Sequence, residues 1–343
     1  MIDTASDPHT ADTRSAVAQR PRISIVHVLE RFALVWLLLA MIIFFALYSK
    51  TSGVFLSSAN ISNVVANESV TALAALAALI PLVALRFDVS VGAVLGGVSV
   101  LVASLTVNSG WALAPALLAG LAAGATIGAV NGYVIAYIGA NSFIITLGMS
   151  TLLAGVVSLI SHDNTIVGVP QALLNFGNDS WLGVPRPTWL LILVALLVAY
   201  LLRYTVFGRQ LVQIGSNPRS ARLVGIPIKR HVLRAFVLAG TVAAIAGALE
   251  LARTGSGDPG AGQSFTFDAL AACFLGSTTI RPGQFNVAGT IVGVLFVAVG
   301  VNGLTLAGAS DWVQPAFDGG SIVVAVSLSA ILARRRGLSS AVL

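Results

Sequence analysis

The sequence predicts an all-α polytopic membrane protein with about ten transmembrane helices, and three observations predict it. The 343 residues are 57% hydrophobic and only 9% charged, against roughly 45–50% and 25% in soluble domains, and the mean hydropathy is +0.92. So few charges cannot cover a water-exposed surface, so lipid must be the solvent for much of it. The apolar residues also fall into discrete runs close to the ~20 residues a helix needs to cross a bilayer. Finally, the cations fall between those runs, and mostly on one side.

The first 31 residues are polar and carry Arg14, Arg20, Arg22 and Arg31 beside Asp3, Asp7 and Asp12. That is too long and too acidic for the short basic start of a cleaved signal peptide. It reads as a flexible cytoplasmic tail over 1–31, with a short helix around Ser24 to Arg31.

Ten apolar runs follow, at 32–49, 69–85, 90–107, 111–130, 142–161, 188–202, 235–251, 268–280, 287–306 and 319–333. Together they make a permeation-type membrane domain over 32–333, with a long loop at 203–234 and a short tail at 334–343. The eighth run is short and interrupted by Gly276, as broken helices lining transport paths often are.

The positive-inside rule orients the runs. With both termini cytoplasmic, sixteen of the 19 Lys and Arg face inward and three, Lys50, Arg186 and Arg253, face outward. A missed or invented span would scramble that division. Two segments, AVNGYVIAYIGANSF (129–143) and GVNGLTLAGASDW (300–312), each place Asn-Gly inside a run and Gly-Ala soon after. Two such copies suit a fold of two pseudo-symmetric halves.

Several chemistries lack their residues. No GxxxxGK[ST] occurs, so no P-loop nucleotide site exists in this chain. His9, His27, His162 and His231 all fall outside the runs, which speaks against a metal site or a histidine relay within the membrane. No serine nucleophile with a base and no paired-aspartate motif is present. The chain therefore reads as a non-enzyme without cofactor or metal. Cys273, alone in its chain, has no thiol to pair with and reads as a small core residue. The pI of about 10.1 is accounted for by topology, because no compact basic domain with interleaved aromatics exists to bind nucleic acid. Asp88, Glu250 and Asp268 lie near run ends and read as interfacial residues rather than ion-coupling carboxylates. Energy for transport must then come from elsewhere.

The loop segment GRQLVQIGSNPRSARLVGIPIKR (208–230) concentrates Arg209, Arg219, Arg222, Lys229 and Arg230 without one acid. Asn217-Pro218 is a helix start, Asn as N-cap and Pro at the first position, and Gly225 and Pro227 end the helix after about two turns. Arg219 and Arg222, three apart, share a face. Two readings stand on these residues. A helix too short to fold alone suits docking into a partner's groove, with small Ala221 allowing close approach. A basic loop that sets topology and touches anionic lipid headgroups suits them equally.

The same segment resembles the cytoplasmic loop of bacterial ABC importer permeases of the ribose and monosaccharide type, at Gly208, Arg209, Ile214, Gly215, Asn217, Ala221, Arg222, Gly225 and Ile226. FDVSVGAVLG (87–96), NSFIITLGMSTLLAG (141–155), DALAACFLGSTTIRPGQFNVAGTIVGVLF (268–296) and VNGLTLAG (301–308) are similar to further family segments, from about residue 32 onward. The resemblance implies a permease subunit in the bacterial inner membrane, paired with itself or a close paralogue. It further implies ATPase subunits inside and an extracytoplasmic sugar-binding protein outside. Asn217, Arg219, Ala221, Arg222 and Gly225 would then couple to the ATPase. For the solute path, the polar residues within runs are candidates: Asn131, Ser142, Thr146, Ser277, Thr278 and Asn302, with Phe143 beside them. Hydrogen bonding between helices is the competing role for each polar one. Two tracts depart from the family, Leu85-Arg86-Phe87 where Gly-Gly is common, and Gly276 to Pro282. They leave the substrate open, and a branched-chain amino acid permease or an ion-coupled secondary transporter stands as the alternative.

Overall fold

The computed structural model describes residues 31–310 and, beyond them, 312–317, 319–321, 323, 324 and 327. The expected helix around Ser24 to Arg31, the tails 1–31 and 334–343, and most of the run at 319–333 lie outside the described residues, Arg31 excepted.

The described residues are mostly helical. The helices are α1 (Ala33–Leu47), α2 (Ser58–Leu82), α3 (Val91–Val107), α4 (Leu113–Tyr133), α5 (Ser142–Ser161), α6 (Gln171–Asn178) and α7 (Arg186–Tyr204). After them come α8 (Val206–Ser216), α9 (Pro218–Leu223), α10 (Ile228–Thr254), α11 (Gly262–Gly276) and α12 (Val287–Leu306). A π-helical turn, Val134–Ile138, extends α4. Among the described residues, α2, α4 with its π-turn, α5, α7, α10 and α12 are long and apolar enough to cross a membrane, and α1 and α3 are shorter apolar helices.

One helix is central. From Ser69 to Leu82 every residue of α2 but Thr71 is buried, as expected of a helix apolar on all sides. Its neighbours are α7, α10, α11 and α12, and the many alanines let them approach closely. By contrast, only 17% of the most apolar stretch of α5 is buried, against 72% for α2. Peripheral and central helices thus look alike in hydropathy.

Three run boundaries shift. The second helix begins at Ser58 rather than near 69, because Asn60, Asn63, Asn67 and Glu68 lower the hydropathy of its first half. Glu68 therefore lies inside α2, not in a loop. The seventh begins at Ile228 rather than 235, which puts Lys229, Arg230 and Arg234 on its first turns. The eighth runs over Gly262–Gly276 rather than 268–280, so Asp268 lies within a helix. The loop after α7, expected to hold one short helix, holds α8 as well; Thr205 caps it by accepting from the Gly208 N–H (3.3 Å). Between α5 and α7 lie α6 and a two-residue hairpin, in which Ser180 pairs with Pro185 and Trp181 with Val184. Ile166–Val167 pairs antiparallel with Ser256–Gly257.

The link from α2 to α3 positions the interior. Leu85 N–H bonds to Leu82 O (2.8 Å) and Arg86 N–H to Pro81 O (3.0 Å), the paired closure of a Schellman end. Leu85 occupies the left-handed position at φ 53°, where glycine is the usual residue. Residues 86–90 then run as non-helical backbone to α3, buried from Asp88 onward. At its start, α3 meets the start of α11. A β-carbon on Gly92 would collide with the backbone oxygen of Gly262, and one on Gly262 with that of Gly92. Only hydrogen side chains allow this crossing.

Candidate coupling surface and solute path

Buried backbone between α2 and α3 must find partners for its N–H groups, and three of the seven expected path residues serve this stretch. Phe87 N–H donates to Ser142 Oγ (3.1 Å). Val89 N–H donates to Thr146 Oγ1 (3.0 Å). Asn131 Nδ2 donates to Ser90 Oγ (2.9 Å), and Ser90 Oγ–H donates in turn to Asp88 Oδ1 (2.6 Å). Asp88 is thus a buried acceptor within a polar knot. Asn131 Oδ1 is buried and has no hydrogen-bond partner among the described residues.

The other four stand apart. Ser277 and Thr278 donate to Phe274 O and Leu275 O of their own helix end (both 2.7 Å). Asn302 on α12 exchanges amide bonds with Asn60 on α2. Phe143 is exposed beside the buried Ser142.

After α7, the loop helices build a surface. Asn217 caps α9 by accepting from Arg219 N–H (3.0 Å) and Ser220 N–H (3.1 Å). Gly225 ends it at φ 79°, a conformation costly for any residue with a β-carbon. Arg219 and Arg222 are exposed. Ala221 is buried and faces this chain rather than a partner, with its carbonyl accepting from Ile226 N–H (3.0 Å). The outward apolar residues are Leu223, 88% exposed, and Val224, 74% exposed. Hydropathy alone does not single them out, because it cannot say which side of two turns faces out. Behind α9 lies α8, whose Gly215 sits against Val83 O at the end of α2. α8 thus packs against both α9 and the end of α2.

Two cavities flank these features. One, of about 250 Å³, is lined by Asn67, Glu68, Glu250, Arg253 and Asp268 among others. Arg253 donates to Gly177 O (3.0 Å), Asn178 Oδ1 (3.0 Å) and Asn67 Oδ1, tying α10 to α6 and α2. The second, of about 950 Å³, lies between the end of α4 and the start of α10 and reaches Arg86 and Arg222.

The family model described as branched-chain amino acid transport system / permease component matches residues 60–326. The chain belongs to that family. Among curated relatives of this permease, the ribose import permease protein RbsC of Bacillus subtilis (strain 168) is 36% identical over 276 residues, 80% of this chain and 85% of its own. RbsC of Escherichia coli (strain K12) is 33% identical over 299 residues, 84% of this chain and 91% of its own. The D-allose transport system permease protein AlsC of Escherichia coli (strain K12) is 29% identical over 280 residues, 82% and 86%. No solved structure matches the chain. The permease is thus a multi-pass membrane transport subunit rather than an enzyme, and α9 with the α2–α3 link lies within the matched span.

Proposed function

We propose that this permease is the membrane-spanning subunit of an ATP-binding-cassette importer that passes a monosaccharide or related small polar solute delivered by an extracytoplasmic binding protein. The observation that carries it is similarity along most of the chain to permeases named for ribose and D-allose. An ATPase subunit would seat on α9 through Leu223 and Val224, with Arg219 and Arg222 at the rim and Asn217 and Gly225 holding the helix ends. Closure of the ATPases would move α9, then α8, then the end of α2. Arrival of charged residues on one side supports ten spans with both termini in the cytoplasm of a bacterial cell and the chain in its inner membrane. The peripheral faces of α4, α5 and α7 leave room for a second permease subunit, the same chain or a close paralogue.

Two pseudo-symmetric halves find support in paired features. Asp88 and Asp258 each accept from the N–H two residues on (3.0 and 2.8 Å), and each stands four residues before the glycines that meet, Gly92 and Gly262. For the path, Asn131 keeps a buried carbonyl oxygen without a partner among the described residues, and Ser142 and Thr146 hold the neighbouring backbone. The uptake of Ser277, Thr278 and Asn302 hydrogen bonds by protein groups favours a structural part for them.

Co-reconstitution with the ATPase and binding protein tests the reading. Arg222→Glu and Gly225→Leu should each abolish sugar-stimulated ATP hydrolysis while membrane insertion stays intact. Normal stimulation in both variants would remove coupling from α9. Uptake by the chain alone on an ion gradient would replace the importer with a secondary transporter. The amino-acid alternative has the family-wide description behind it, and uptake competed by leucine but not by ribose would establish it.

A further inference from the structure

We infer that the cavity between the end of α4 and the start of α10 is a binding site for the headgroup of an anionic phospholipid. Four cations line it, Arg86, Arg222, Lys229 and Arg230, and no acid does. Bringing four like charges around one space is unfavourable unless an anion shares it. The Arg86 Nε is buried and has no hydrogen-bond partner among the described residues, so one guanidinium donor awaits an acceptor. The helix behind adds to the field. The 27-residue α10 begins here with Pro227 as N-cap and no side chain capping its first N–H groups, which leaves the positive end of its dipole facing the cavity.

The space exists because α4 does not finish regularly. Its last turn is π-helical and stops at Gly139, φ 87°, a widening of the kind often found at functional sites. Lys229 Nζ is held 5.5 Å above the Tyr137 ring, at the cavity edge. The remaining lining is apolar, with Ile135, Ile226 and Val232 on the floor and Ile138, 69% exposed, opening to the outside of α4. A free phosphate compound has no use for that floor, whereas a lipid places its phosphate among the cations and its acyl chains along α4. Basic pockets between membrane helices on the cytoplasmic side suit such headgroups. The inference rests on the proposed orientation for its biological side, though nanodiscs present both leaflets and test the site itself regardless of orientation.

The full-length permease is placed in nanodiscs of phosphatidylcholine with and without phosphatidylglycerol, and retained lipid is read by native mass spectrometry. Wild type should retain phosphatidylglycerol in preference to phosphatidylcholine. Arg86→Gln and Arg230→Gln should each weaken that preference by about fivefold, from the loss of one cation near the headgroup. Arg203→Gln, an exposed cation outside the cavity, should not. Equal retention of both lipids by wild type, or an unchanged preference in both cavity variants, would overturn the site. Thermal stabilisation by inorganic phosphate without preferential lipid retention would overturn the lipid assignment in favour of a soluble anion. Arg230 is exposed on the first turn of α10, so its variant folds even where Arg86→Gln does not.

Discussion

Asn60 and Asn302 grip each other with two amide hydrogen bonds, Nδ2 of Asn60 to Oδ1 of Asn302 at 3.0 Å and the reverse at 3.1 Å. The pair joins the start of the central α2 to α12, and Asn60 also donates to Phe55 O (2.9 Å). Interhelical hydrogen bonds of this kind couple by about 0.6 kcal/mol on average and by up to ~1.7. A double-mutant cycle of Asn60→Ala and Asn302→Ala, followed by thermal unfolding in detergent, should return a coupling in that range. A coupling of zero, with altered sugar uptake in Asn302→Ala, would instead place Asn302 on the path.

Thr146 differs, because its hydroxyl satisfies a buried backbone N–H. Thr146→Val keeps the shape and strands Val89 N–H without an acceptor. The expected loss is about 1–3 kcal/mol, read from the unfolding midpoint. Ser142→Ala should act similarly on Phe87 N–H.

Leu223 and Val224 project from α9 with most of their surface in solvent. If they anchor the ATPase, Leu223→Ser with Val224→Ser should weaken capture of the ATPase subunit by roughly tenfold or more, the scale of an interface hot spot. The yield of folded permease should not change, since both side chains are mostly exposed. Undiminished capture would move the anchor elsewhere on the basic surface.

Gly92 and Gly262 admit no side chain where α3 crosses α11. Gly92→Val would force apart two backbones rather than a flexible side chain, and overpacking of rigid contacts costs about 1–3 kcal/mol or more. Gel filtration should show mostly aggregated protein. Gly155→Ala on α5, where a β-carbon meets open space, should behave as wild type.

Ile280 holds a φ of 60°, an outlier for a β-branched residue, in one of the two tracts that depart from the family pattern. Left-handed backbone at such a residue costs about 1–3 kcal/mol, partly offset by the roughly 0.5–1 kcal/mol entropy cost of glycine. Ile280→Gly should therefore unfold at the same temperature or higher, by the equivalent of about 1 kcal/mol. A clear loss of stability would mean that the Ile280 side chain contributes more than its backbone strains.

Much of the architecture was legible in the chain. Apolar runs placed six of the described helices within a few residues and found three more with displaced starts, because a helix in lipid must be apolar along its length. The α9 cap was readable too, since Asn217, Pro218 and Gly225 act on their own neighbours. The polar first half of α2 was not, because Asn60 and Glu68 count as loop residues until a partner helix is known.

The sequence by itself determined the solvent and the apolar character of the helices, both of which depend on composition along a local stretch. Only the tertiary structure decided that α2 is the centre and α5 the rim, that Ala221 turns inward while Leu223 turns out, and that Thr146 serves Val89. Lipid and protein interior are alike in polarity, so hydropathy cannot separate them. Which donor finds which acceptor depends on segments that are distant in the chain and meet only by packing.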